Sequence, residues 1–181
     1  MDKISIKDKT FVKYITADEI DKAVADLAQK INSDYKGKTP IFLVVLNGAI
    51  LFASDLLKKL TIQCEVSCIK VSSYEGGLTS TNKVKSLIGL NTDINNRDLI
   101  IIEDIVDTGL TISSLMKQLN ESNPSSIKVA TLTFKKEAYK SDTPIDYIAM
   151  EIPNKFIVGY GLDYDELGRN LPDIYQLFDQ E

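Results

Sequence analysis

Residues 99–112 read LIIIEDIVDTGLTI, and this stretch decides the fold. Leu99 to Ile102 are four consecutive apolar residues, the pattern of a strand buried on both faces. Two adjacent carboxylates, Glu103 and Asp104, follow at its end. Asp107, Thr108, Gly109, Leu110 and Thr111 then lead into a helix predicted to reach about Ser122. A second strand of the same kind, IFLVVL over 41–46, breaks at Asn47-Gly48 into a helix reaching about Leu60. Upstream, Thr16 and Glu19 make a capping box ahead of Ile20, Val24, Leu27 and Ile31 at helical spacing. Residues 62–71, 127–134, 146–152 and 156–160 supply further predicted strands. Apolar strands alternating with helices indicate an α/β fold, a parallel sheet flanked by helices. No repeat, low-complexity run or linker divides the 181 residues, so the expectation is a single domain over 1–181.

Composition narrows the function classes. Hydrophobic content of 44% with 26% charged residues excludes collagenous, disordered and membrane classes. The longest apolar run, Ile41 to Leu46, is far short of the roughly 20 residues that span a bilayer. The start, MDKISIKDK, has no apolar signal segment, so a cytoplasmic location is expected. Net charge is −5, and residues 162–181 hold six acids against one base, Arg169. The absence of a basic run argues against a nucleic-acid partner. With no histidine, a Ser-His-Asp triad and a histidine-ligated zinc are excluded, leaving carboxylates, lysine or tyrosine for acid–base work. Cys64 and Cys68, four residues apart on one predicted strand, would lie about 13 Å apart, beyond disulfide reach; both are expected in the core.

In parallel sheets ligands bind beyond the carboxyl ends of the strands, which directs attention to 103–111. Gly109 permits a tight turn, and the helix that follows offers unpaired amides to an anion. The hydroxyls of Thr108 and Thr111 add donors. Adjacent acids can accept hydrogen bonds from sugar hydroxyls, or hold magnesium that does. Together the pattern suits a ribose phosphate. The competing reading is that Asp107 and Thr108 merely cap the next helix. Gly-Lys-Thr at 37–39 is not a phosphate-binding P-loop, because Asn32 stands where the motif needs glycine and the trio precedes a strand.

The run 99–112 resembles the phosphoribosyl-pyrophosphate motif of type I phosphoribosyltransferases. VVLNGA (44–49), VSSY (71–74), TFKK (133–136) and EIPNKFIVGYGLDYDELGRNLP (151–172) narrow the resemblance to the hypoxanthine-guanine phosphoribosyltransferase family, in its order and spacing. The resemblance implies a type I phosphoribosyltransferase fold with a small hood over about 151–181. It also implies a purine salvage reaction: transfer of ribose 5-phosphate from phosphoribosyl pyrophosphate to a 6-oxopurine, with pyrophosphate released. By resemblance, Glu103 and Asp104 hold the ribose hydroxyls and magnesium, while Asp107, Thr108, Gly109, Leu110 and Thr111 cradle the 5-phosphate. Asp107 faces purine N7 and exchanges a proton with it. Lys135 reads the 6-oxo group, Phe156 stacks on the purine, and backbone groups of Ile157 or Val158 meet its edge.

On the same basis Asp163 is a base-side residue and a second magnesium contact. Asn47, Gly48 and Arg169 meet pyrophosphate, and Lys155 buttresses the region. Ser73 and Tyr74 begin a loop over about 72–84 that closes as a lid. Two positions depart from the family pattern: Asn47 replaces a common basic residue, and Leu110 stands where some relatives have lysine. A dimer or tetramer is the implied assembly. A xanthine-preferring enzyme and a non-catalytic binding regulator are the alternative readings.

Overall fold

The computed structural model of the protein describes residues 2–71 and 87–178. Along the chain the elements are β1 (Lys3–Ile6), β2 (Lys9–Ile15), α1 (Ala17–Asp34), β3 (Ile41–Leu46), α2 (Ile50–Lys59), β4 (Glu65–Val71) and β5 (Leu87–Ile88). They continue with β6 (Asp98–Val106), α3 (Leu110–Asn120), β7 (Ser126–Phe134), β8 (Tyr147–Glu151), β9 (Ile157–Val158) and β10 (Ile174–Leu177). The main sheet has the order β5-β4-β3-β6-β7-β8, and all its pairings are parallel except that of β5 with β4. Among the described residues no helix is long and apolar enough to cross a membrane.

The apolar runs explain why β3 and β6 lie at the centre. Alternate side chains of a strand point to opposite faces, so a strand covered on both sides must be apolar throughout. Phe42, Val44, Ile100 and Ile102 pack with Ile20, Val24, Leu27 and Ile31 of α1 and Phe52 and Leu56 of α2. Ile41, Leu43, Leu99 and Ile101 pack on the other face with Ile112, Leu115 and Leu119 of α3. Each such side chain contributes about 1.5–3 kcal/mol through burial. The start of α1 is set locally. The Glu19 amide donates to Thr16 Oγ1 at 3.3 Å, and Glu19 Oε2 accepts from the Thr16 amide at 2.8 Å.

The main strands fall where the apolar runs place them, with shifted ends. β6 extends past Ile102 through both carboxylates, because its ladder with β7 continues to Val106 opposite Phe134. The strand expected over 156–160 shortens to Ile157–Val158, since Gly159, Tyr160 and Gly161 all take positive φ. The expectation that both cysteines are core residues fails. β4 begins only at Glu65, Cys64 is partly buried, and Cys68 is exposed on the same face as Val66 and Lys70.

A second sheet, order β1-β2-β10-β9 and antiparallel throughout, joins the two ends of the chain. Ile6, Phe11, Val158 and Tyr175 form its own small core. The hood expected from 151–181 alone therefore draws half its strands from residues 3–15. The expected lid over 72–84, with Ser73 and Tyr74, lies outside the described residues, apart from the structure on either side of it.

Candidate active site

Three segments converge at the carboxyl ends of β3 and β6. After β3 the Leu46-Asn47 peptide is cis; Asn47 is exposed, whereas Gly48 and Ala49 are buried. A Cβ on Gly48 would overlap the carboxylate of Asp104, so the loop backbone lies directly against that acid. From the hood, Gly161 (φ +98°) approaches so closely that its Cβ would overlap the Gly48 carbonyl oxygen. Arg169 Nη1 donates to the Gly161 carbonyl at 2.9 Å, and its Nη2 lies 2.8 Å from Asp163 Oδ1 and 3.1 Å from Glu166 Oε2. Asp163 Oδ2 accepts the Glu166 amide at 2.8 Å. Asn47, Gly48, Asp104, Asp163 and Arg169, named from separate motifs, thus form one cluster.

The first of the two adjacent acids is poorly satisfied. Glu103 is 7% exposed, and among the described residues its buried Oε2 has no hydrogen-bond partner. Burial pushes its carboxyl well above the usual carboxylate range, and the Asp104 charge adds to the shift. Burial likewise raises Asp104. The Ile105 amide, 2.9 Å from Asp104 Oδ1, and the Arg169 charge pull it back, while Asp163 pushes it further up. A buried acceptor without a donor is rare in native proteins; hydroxyl donors or a cation would satisfy it. Neighbouring Thr133 holds this strand end by donating to the Asp104 carbonyl at 3.0 Å.

Asp107 to Thr111 form the adjoining turn. Gly109, at φ +84°, is the N-cap of α3, and no side chain among the described residues caps that helix. The capping role considered for Asp107 and Thr108 is therefore not the one they play, and the first amides of α3 remain available to an anion. Ser113 Oγ donates to the Gly109 carbonyl at 3.0 Å. Thr108 and Thr111 are partly buried, and Leu110 is 57% exposed. A segment absent from the sequence reading supports the turn. Tyr139 packs so tightly over Gly109 that a Cβ there would overlap its ring, and the Lys140 amide donates to the Thr108 carbonyl at 3.1 Å.

Lys135 follows β7 and is buried, with its amide donating to the Val106 carbonyl at 2.9 Å. Its ammonium pairs with Asp107. Phe156 is 45% exposed and is braced by Phe11 (6.2 Å between ring centroids) and Tyr164 (5.9 Å, edge-on). Ile157 and Val158 point into the two cores, leaving only their backbone groups for a ligand. Lys155 is exposed.

Among the described residues no cluster of three His, Cys, Asp or Glu side chains forms a metal cage. Two adjacent carboxylates with one orphaned oxygen suit a hard cation that brings other ligands with it, the usual manner of magnesium on phosphorylated substrates. Asp163, engaged at both oxygens, is less open to such an ion than Glu103 or Asp104. Sequence reasoning missed Gly161 and Tyr139. The left-handed Gly-Tyr-Gly at 159–161 carried a signal in its paired glycines; Tyr139 carried none.

A family model described as the phosphoribosyl transferase domain matches residues 15–165. The hypoxanthine-guanine phosphoribosyltransferase of Streptococcus thermophilus is 45% identical over 147 residues, covering 81% of this chain and 82% of that protein. That of Mycobacterium bovis is 39% identical over 175 residues, covering 90% and 87%. Among solved structures, a hypoxanthine phosphoribosyltransferase from Staphylococcus aureus superposes with a TM-score of 0.84 at 37% identity, covering 92% of this chain and 90% of that one. A hypoxanthine-guanine phosphoribosyltransferase from Bacillus anthracis gives 0.83 at 33% identity, covering 92% and 96%. With its central motif, its sheet order and these relatives in agreement, the chain belongs to the hypoxanthine-guanine phosphoribosyltransferase family.

Proposed function

We propose that this protein is a purine salvage enzyme that transfers the 5-phosphoribosyl group from phosphoribosyl pyrophosphate to hypoxanthine and guanine, giving IMP and GMP and releasing pyrophosphate. The observation that carries the reading is the union, in one short segment, of adjacent carboxylates with an unsatisfied Glu103 oxygen and an uncapped helix start. One end accepts from a sugar diol and the other donates to its 5-phosphate. Family membership supplies the rest.

In this reading Glu103 and Asp104 hold the ribose hydroxyls and magnesium. The amides at 108–111 and the hydroxyls of Thr108 and Thr111 hold the 5-phosphate. Asn47, Gly48 and Arg169 face pyrophosphate. Magnesium, when bound, supplies charge neutralisation for the departing pyrophosphate. As the bond from C1 to the pyrophosphate oxygen lengthens, positive charge grows on the sugar, and the buried carboxylates stabilise it. N9 of the purine closes on C1 while the Asp107 carboxylate takes the N7 proton, a general-base role. Lys135 donates to the 6-oxo group; an ammonium has no acceptor for the amino group of adenine, so it selects oxopurines. Phe156 offers its exposed face to the ring, and Asp163 borders both base and magnesium. Ser73 and Tyr74 open the lid, the whole chain acts as one domain, and it assembles as a cytoplasmic dimer or tetramer.

The test is a panel of hypoxanthine, guanine, xanthine and adenine with magnesium and phosphoribosyl pyrophosphate. Nucleotide is expected from the first two and none from adenine. Xanthine as the sole good substrate would establish the rival enzyme. Binding of phosphoribosyl pyrophosphate with no base converted would establish the regulator.

A further inference from the structure

We infer that Asp55 and Tyr160 are positioning residues for the pyrophosphate end of the site, tying the hood turn that bears Arg169 to the helix that follows the Asn47-Gly48 loop. The inference rests on the transfer function proposed above and adds two residues to it.

Tyr160 takes φ +48° between Gly159 at +107° and Gly161 at +98°. That region is unfavourable for a residue with a Cβ, and such conformations persist where the surroundings over-determine them. Three contacts do so here. The Tyr160 amide donates to the Leu171 carbonyl at 2.8 Å. Its ring is buried in the core shared with α1 and α2. Its hydroxyl donates to Asp55 Oδ2 at 2.6 Å, a short bond to a charged acceptor. The other Asp55 oxygen lies 2.6 Å from Lys58 Nζ.

These contacts close a ring. Asp55 sits on α2, whose first turn grows out of the loop: the Ile50 amide donates to the Asn47 carbonyl and the Ala53 amide to that of Ala49. Across the phenol bond the chain passes from Tyr160 to Gly161, which is pressed against the Gly48 carbonyl. Gly161 is also bonded twice to Arg169, its amide to the Arg169 carbonyl and its carbonyl to Nη1, each at 2.9 Å. The phenol–carboxylate bond is the side-chain link in this ring, and it sets how the hood meets the loop at Gly48. Neither Lys135 nor Phe156 is bonded to Tyr160 or Asp55, whereas Gly48 and Arg169 both meet the turn that Tyr160 anchors, so the loss of the bond should fall first on the substrate that carries pyrophosphate.

The experiment is steady-state kinetics on the full chain in both directions. Tyr160→Phe keeps the ring and deletes the donor. It should raise KM for phosphoribosyl pyrophosphate, and for pyrophosphate in reverse, about tenfold, with hypoxanthine KM changed less than about twofold. Asp55→Asn keeps an acceptor oxygen while losing the Lys58 ion pair, and should stay near the parent; Asp55→Ala should match Tyr160→Phe, and the double variant should be no worse than either alone. An unchanged KM in Tyr160→Phe, an equal rise for both substrates, or equal defects in Asp55→Asn and Asp55→Ala would each overturn the inference. If Tyr160→Phe fails to fold, the two Asp55 variants decide. If the parent protein converts neither base, the transfer reading falls, and calorimetric binding of phosphoribosyl pyrophosphate with magnesium across the same variants still tests the tie.

Discussion

Lys135 Nζ lies 2.9 Å from Asp107 Oδ2, joining the end of β7 to the end of β6. The pair is asymmetric: the lysine side chain is 9% exposed and the aspartate 44%. A buried ammonium needs a compensating charge, and Asp107 supplies it while keeping a face open to the site. In the proposed reaction the same carboxylate pairs with Lys135 and accepts a proton from the base.

Asp107→Asn separates these duties, because the amide oxygen can still accept from Lys135 but the side chain can no longer take a proton. Turnover should fall by roughly 10²–10⁴, with the affinity for phosphoribosyl pyrophosphate within a few-fold of the parent. Rapid-quench kinetics alongside calorimetry measures both. Undiminished turnover would remove the proton role.

Lys135→Ala should act on the other partner. It deletes the proposed donor to the 6-oxo group while leaving the turn at 108–111, proposed for the 5-phosphate, with its supports from Lys140 and Ser113. The KM for hypoxanthine should therefore rise by about tenfold or more, the worth of a hydrogen bond to a charged group, and the KM for phosphoribosyl pyrophosphate much less. Equal losses in the two constants would mean that Lys135 supports the site without reading the base.

Much of the sheet was legible because burial on both faces leaves a plain mark: IFLVVL and LIII can be little else. The strands KISI, KTFVKYI and IYQL were not, since they are half polar and belong to a sheet that joins the two ends of the chain, KISI pairing with KTFVKYI and Ile15 of the latter lying opposite Ile174. Cys68 misled for a related reason. Alternation placed it on a strand, but could not tell that the face bearing Val66, Cys68 and Lys70 is exposed while Ile69 points inward. At the site, residue types and spacing picked out Glu103, Asp104 and the 107–111 turn. The contacts of Gly48 with Asp104 and of Gly161 with Gly48 depend on three distant segments meeting, which no local pattern records.

Gly48 is required by that meeting. A methyl group there would occupy the position of the Asp104 carboxylate, so either the acid or the loop would have to move. Gly48→Ala should lower kcat/KM for phosphoribosyl pyrophosphate by roughly 10²-fold, the scale of a 1 Å displacement of a reacting group. Hypoxanthine KM should move less. A variant as active as the parent would show that loop and carboxylate need not touch during the reaction.

The raised carboxyl of Glu103 gives stability and ligand binding opposite responses to pH. Between its usual value of 4.5 and its raised one, the folded chain keeps a proton that the unfolded chain has lost. Stability of the ligand-free protein therefore falls as pH climbs through that window, and the raised Asp104 adds the same sign. Glu103→Gln removes the larger titration, so its melting temperature should decline less with rising pH than that of the parent. Binding of magnesium with phosphoribosyl pyrophosphate needs the ionised form; affinity should accordingly rise with pH across the same window, with protons released. Calorimetry in two buffers of different ionisation enthalpy measures that release. Proton uptake on binding, or a parent melting curve no steeper in pH than that of Glu103→Gln, would place the titrating group elsewhere.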